Sequence, residues 1–136
     1  MAILELIIHV DGGSRGNPGP AGYGAVIENA AGEILERLHG YVGRQTNNYA
    51  EYSGLIAGLR RARELGAQRV KVVADSELLV RQMQGRYAVK SENLRPLYEE
   101  AWRLAQALPQ VQFEHVLRGK NREADRLANL AMDEAR

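Results

Sequence analysis

The stretch Ile3-Leu4-Glu5-Leu6-Ile7-Ile8-His9-Val10-Asp11-Gly12-Gly13 decides the fold. From Ile3 to Val10 it is apolar on both alternating faces, the pattern of a central strand covered on both sides. It ends at Asp11, where a loop rich in glycine and proline begins and runs to Gly24. A second run of the same kind, Arg69–Ala74, ends at Asp75. Two strands that are apolar throughout are expected side by side in the middle of a sheet. Asp11 and Asp75 then emerge close together at one sheet edge.

Around this pair the remaining elements fall into order. Tyr23–Glu28 and Glu33–Val42 read as two strands joined by the turn Asn29-Ala30-Ala31-Gly32. A helix is expected from about Asn47 to Leu65, capped by Thr46 or Asn47 and ended by Gly66. Ala50, Gly54, Gly58 and Ala62 recur every four residues along it. Such a stripe lets a helix backbone lie close to its partner, with Leu55, Ile56, Leu59 and Leu65 filling around it. Ser76–Met83 reads as a short helix and Gln84–Ser91 as a loop. Glu92–Leu108 reads as a helix stopped by Pro109, with Leu94, Leu97, Tyr98, Ala101, Leu104, Ala105 and Leu108 on its apolar side. Val111–Leu117 is the last strand. Asn121–Glu134 is the last helix, with Ala124, Leu127, Ala128 and Ala131 facing inward. The order β-β-β-α-β-α-α-β-α predicts an α/β fold, a mixed five-stranded sheet with helices on both faces.

The chain has 136 residues, 45% of them hydrophobic, which fits one domain with a real core. A net charge of +1 leaves any polyanion to be held by local patches. The absence of Cys removes disulfides and thiolate chemistry and fits a reducing, cytoplasmic setting. No stretch reaches the roughly 18–20 apolar residues of a membrane span. Met1–Leu6 lacks the basic segment of a signal peptide. With no coiled coil and no apolar surface stripe, a monomer is expected.

Four acids stand out: Asp11 and Asp75 after strands, Glu51 and Asp125 near helix starts. Each has a structural explanation when taken alone. An Asp after a strand often bonds turn amides, and a carboxylate near a helix N-terminus is favoured by the dipole. Together they fall where the topology can make them converge. Several carboxylates without a Cys or His cluster suit hard cations such as Mg²⁺ or Mn²⁺. The glycine-rich loop has no Gly-Lys-Ser/Thr ending and leads into a strand, so neither a P-loop nor a dinucleotide site is expected.

Asp11-Gly12 followed by Gly16-Asn17-Pro18-Gly19-Pro20-Ala21-Gly22-Tyr23-Gly24 resembles the opening of type 1 ribonuclease H. Arg44-Gln45-Thr46-Asn47-Asn48-Tyr49-Ala50-Glu51 resembles its second motif, Val73-Ala74-Asp75-Ser76 the third and Asn121-Arg122-Glu123-Ala124-Asp125 the fourth. The resemblance covers almost the whole chain, in the family's order. It implies a single ribonuclease H domain over residues 1–136. It implies an endonuclease that cuts the RNA strand of RNA–DNA hybrids and leaves 3′-hydroxyl and 5′-phosphate ends. It also implies two Mg²⁺ ions, with Mn²⁺ as an alternative, held by Asp11, Glu51, Asp75 and Asp125. Asp11 would bridge the two, and Glu51 would also meet the ribose 2′-OH. Gly12, Asn17, Asn47 and Asn48 resemble the family's groove-reading residues, and Arg44 and Thr46 a pocket for a DNA-strand phosphate.

The chain departs from that pattern in three places. The loop before the last acid, Arg118-Gly119-Lys120-Asn121, has no His, and Arg118 is expected to assist electrostatically instead. His9 and His115 sit in strands, where packed or edge residues are the expectation. The stretch Met83–Leu94 is short, with only Arg86 and Lys90 as cations and Tyr87 as a stacking candidate, while Trp102 is expected to pack inside. No further hybrid-binding domain is expected within these residues. Two rivals are weighed. One is another nuclease on the same fold, which would cut pure DNA. The other is a catalytically silent hybrid-binding module, against which the four acids argue.

Overall fold

The computed structural model describes residues 4–134. Ile3 and the Met1–Ile3 part of the signal-peptide reading lie outside the described residues, as do the two ends of the 1–136 domain. Five strands and four helices follow in the expected order: β1 Glu5–Ser14, β2 Gly19–Asn29, β3 Ile34–Gln45, α1 Asn47–Glu64, β4 Arg69–Ala74, α2 Glu77–Met83, α3 Arg95–Gln106, β5 Gln110–His115 and α4 Arg122–Glu134. A 3₁₀ turn, Arg118–Lys120, precedes α4. The sheet order is β3-β2-β1-β4-β5, antiparallel from β3 to β1 and parallel from β1 to β5. The two strands expected at the centre are therefore neighbours, with Val10 opposite Ala74.

The core lies mainly on the α1 face. Leu6, Ile8 and Val10 of β1 meet Leu55 and Leu59 of α1 there, with Leu79, Val80 and Ala101 of α2 and α3 around them. The stripe Ala50, Gly54, Gly58 and Ala62 is buried as expected. A Cβ on Gly58 would come within 2.7 Å of Ile8 Cγ2, so the helix rests directly on the strand. The seven apolar positions expected of α3 belong to this core or pack against it. The opposite face carries a smaller cluster in which Val26 meets Ala124 and Leu127 of α4.

Local signals account for most boundaries. Thr46 caps α1, its Oγ1 accepting from the Tyr49 amide at 3.2 Å, and Gly66 past the end takes φ +80°. Asn29 Oδ1 accepts from the amides of Ala31 and Glu33, which closes the β2–β3 turn. Several boundaries differ from expectation, among them the third strand, which runs to Gln45 instead of Val42. The glycine-rich stretch is a loop only over residues 15–18: β1 continues to Ser14 and β2 starts at Gly19, paired from Asp11↔Gly24 to Ser14↔Ala21. At Gly12, Gly22 and Gly24 a helix presses on the strand, while Gly16 takes φ +102° in the loop. The third helix begins at Arg95, since Pro96 is accommodated only in a first turn. The last strand covers Gln110–His115 and so ends two residues early.

Candidate active site

β1 delivers Asp11 to the site, and two glycines bring the other acids to it. A Cβ on Gly12 would sit 2.4 Å from the carbonyl carbon of Ala50 and the amide nitrogen of Glu51. The first turns of α1 thus lie in backbone contact with the strand beside Asp11. Gly24, paired with Asp11, would place a Cβ 2.2 Å from the Ala124 carbonyl oxygen. That clearance admits the start of α4, with Asp125, on the other face. β4 supplies Asp75 one residue after Ala74, the partner of Val10.

The result is a cluster in which carboxylate oxygens of Asp11, Glu51 and Asp75 all lie within 4.8 Å of one another. Asp125 lines the same open groove, of about 520 Å³, but does not join that triad. Its Oδ1 is 3.5 Å from Arg118 Nη2. Asp11 is 7% exposed. Burial, then a hydrogen bond with Asp125, then the charges of Asp75, Asp125 and Glu51 push its carboxyl up to about 8. Burial pushes Glu51 up to about 8 as well, against a hydrogen bond from Ser76 that lowers it and with the Asp75 charge adding to it. Asp75 is raised chiefly by burial, while the Arg118 guanidinium opposes the rise. Acids held this close, with Asp11 buried and the others part-buried, are poorly stabilised by protein alone. The donor set consists of oxygens only, which fits a hard divalent cation such as Mg²⁺ or Mn²⁺.

The substrate-facing residues expected from sequence divide into two groups. Asn17 and Asn47 come together: Asn17 Oδ1 accepts from the Asn47 amide at 3.1 Å. Gly12 and Asn47 line the acid groove, and Asn48 follows in the first turn of α1. Arg44 is exposed at the end of β3, next to Thr46, whose hydroxyl is taken up by the helix cap. Tyr87 is exposed on its loop. His9 bonds Glu28 Oε1 through Nε2 at 2.5 Å, and His115 is half-buried at the end of β5, so both are partnered or edge residues. Trp102 is 47% exposed, contrary to the packing role expected for it. It sits beside Phe113 and Pro109 in a second groove of about 620 Å³ whose lining carries no charged residue. Trp102 is on the outer side of α3, one position past the buried Ala101.

Four contributors escaped the sequence reading. Ser76 caps α2, and its hydroxyl lowers the Glu51 carboxyl against the effect of burial. Asn129 and Met132 line the acid groove. They lie four and seven residues after Asp125, so helical periodicity was the signal for them. Arg15 also lines the groove and pairs with Asp133 at 2.6 Å.

A mixed sheet in this strand order, with acids gathered at the ends of β1 and β4, defines the ribonuclease H-like class. Residues 9–131 match the family model described as Reverse transcriptase-like. The N-terminal RNase H domain of Rv2228c from Mycobacterium tuberculosis superposes with a TM-score of 0.94 at 51% identity, covering 97% of this chain and 96% of that one. RNase H1 from Halobacterium salinarum gives 0.92 at 37% identity, with coverage of 96% and 99%. LC11-RNase H1, solved in complex with an RNA/DNA hybrid, gives 0.91 at 43% identity, with coverage of 96% and 98%. The chain belongs to the ribonuclease HI-type family of enzymes. It spans 36% of the length of the curated mycobacterial relatives and 64% of the Halobacterium salinarum ribonuclease HI. Among the described residues no helix is long and apolar enough to cross a membrane.

Proposed function

We propose that the chain is a single ribonuclease H domain that hydrolyses the RNA strand of RNA–DNA hybrids, leaving 3′-hydroxyl and 5′-phosphate ends. The observation that carries this reading is the convergence of Asp11, Glu51 and Asp75, with Asp125 and Arg118 on the same groove. Family membership supports it, as does the hybrid complex of LC11-RNase H1. Asp11, Glu51, Asp75 and Asp125 would hold two Mg²⁺ ions, or Mn²⁺ in their place. When bound, such ions lower the pKa of an attacking water and offset the charge of the scissile phosphate and the leaving oxygen.

The remaining work falls to the chain's own side chains. Burial and the neighbouring carboxylates raise Asp11, so a bound cation would favour its charged form. Glu51, oriented by Ser76, faces the groove where a ribose 2′-OH would lie. The 2′-OH is exposed in the wide, shallow minor groove, and Gly12, Asn17, Asn47 and Asn48 offer bare backbone and short amides to read it. Arg44 and Thr46 would hold a phosphate of the DNA strand. Arg118 stays protonated, so it steadies negative charge and does not shuttle protons. A cytoplasmic monomer completes the reading.

The test is incubation with labelled RNA–DNA, DNA–DNA and RNA–RNA duplexes in Mg²⁺, in Mn²⁺ and in chelator. Cleavage of the RNA strand of the hybrid, lost in chelator, is the expected result. Cleavage of DNA–DNA would replace this reading by another nuclease on the same fold. Hybrid binding without turnover would replace it by a silent binding module.

A further inference from the structure

Asn121 is one of the few buried polar residues, 2% exposed, and the proposed chemistry does not use it. Its Nδ2 donates to the carbonyl oxygen of Val10 at 2.7 Å, one residue before Asp11. Its own carbonyl oxygen accepts from the amide of Asp125 at 3.1 Å. Its amide donates in turn to the Arg118 carbonyl at 3.0 Å, closing the 3₁₀ turn. One residue thus touches the backbone of β1 beside Asp11, the backbone of Asp125 itself, and the turn that carries Arg118.

The side-chain orientation is fixed by chemistry. The Val10 oxygen can only accept, so a flipped amide would set two acceptors against each other. The consequence is a buried Oδ1 with no hydrogen-bond partner. Native proteins leave few such groups, and each calls for an explanation. An orphaned acceptor tolerated for the sake of one donor bond marks that bond as the useful part. The bond joins residues 111 apart in sequence and so ties together acids from the two ends of the chain. The close backbone contacts of α4 are made with Gly22 and Gly24 of β2, while on β1 Gly13 meets only the Met132 side chain, so the Asn121 bond is a direct polar tie from the start of α4 to β1 beside Asp11.

We propose that Asn121 is a positioning residue that fixes α4 against β1, and so sets the Asp11-to-Asp125 spacing on which cation binding depends. The inference rests on the reading of this groove as a cation site. Its failure is separable from the failure of that reading, because the wild-type protein reports on one and the variants on the other.

The experiment measures Mn²⁺ affinity calorimetrically, the melting temperature in chelator, and the Mn²⁺ dependence of hybrid cleavage. It compares the wild type with Asn121→Ala and Asn121→Ser. Ser puts a hydroxyl before α4 that can cap the helix but is one bond too short to reach Val10, so it covers the case in which Ala does not fold. The expected result for both folded variants is Mn²⁺ affinity weakened about tenfold, as for residues that orient metal ligands. The Mn²⁺ concentration for half-maximal kcat should rise by a similar factor, with the KM for hybrid unchanged. A lowered melting temperature with wild-type Mn²⁺ affinity would make Asn121 a packing residue only and overturn the proposal. So would a Ser variant that binds Mn²⁺ like the wild type. A wild-type protein that binds no Mn²⁺ would overturn both this inference and the site reading beneath it.

Discussion

Strand β1 has two halves that do opposite things. Leu6, Ile8 and Val10 sit in an apolar core under α1 and are at most 1% exposed. Asp11 to Ser14 pair with β2 through the same ladder but carry an acid and two glycines. The first half gains from burial, since each apolar side chain taken from water stabilises the fold. The second half works against it, because Asp11 is buried among other carboxylates. A single strand can therefore anchor a fold and hold its least comfortable residue within a few ångströms of the anchor. The anchor is what keeps the acids from relaxing apart.

Breaking the acid half should give the largest effect on activity and none on folding. Asp11→Asn is expected to lower hybrid cleavage roughly 10³-fold or more, comparable to the loss of a principal charge-stabilising group. Its circular dichroism should match the wild type, and in chelator at pH 8 its melting temperature should be equal or higher. Breaking the apolar half should do the reverse. Ile8→Ala is expected to cost about 2–5 kcal/mol in denaturant unfolding, while kcat of the folded enzyme stays near the wild type.

The pH dependence of stability sharpens the contrast without a mutation. Asp11 and Glu51 are raised to about 8 from ordinary values of 3.8 and 4.5. Between those limits the folded state keeps protons that the unfolded state has released. Stability from these two groups is therefore lost as pH rises from about 4 to about 8. In chelator the melting temperature should fall across that window, and Mg²⁺ should remove much of the fall at its upper end. A melting temperature that rises with pH throughout would contradict the burial of these acids. The smallest effect belongs to the exposed rim. Arg44→Ala should raise the KM for hybrid a few-fold and reduce the slope of log affinity against log salt by about 0.9, as for one lost phosphate contact.

Much of this was legible in the sequence because the informative residues obey short-range rules. Arg69–Ala74 is read to the residue, since a fully buried strand flanked by turns has a clear apolar pattern. Thr46 and Gly66 mark α1 by capping chemistry alone. The glycine-rich stretch misled because glycine marks both a turn and a close approach. At Gly12 and Gly24 the second meaning holds, and it is set by helices distant in the chain. Trp102 misled for a related reason: its helical neighbour Ala101 is buried, and a shift of one position turns a side chain from core to surface. Asn121 was seen as part of a motif. Its bond to Val10 spans the length of the chain and leaves no local trace. Asp125 lines the same groove as the other acids and raises the Asp11 carboxyl, while its Oδ1 also lies 3.5 Å from Arg118 Nη2.

The central proposal is that Asp11 at the end of β1 and Glu51 in the first turns of α1, both pushed up by burial, hold a divalent cation. The most direct test is calorimetric titration of the chelator-stripped protein with Mn²⁺ at pH 7, in buffers of different ionisation enthalpy. With Asp11 and Glu51 raised to about 8, binding should release protons, and the apparent enthalpy should change with the buffer. Binding without proton release, or no binding at millimolar Mn²⁺, would contradict it.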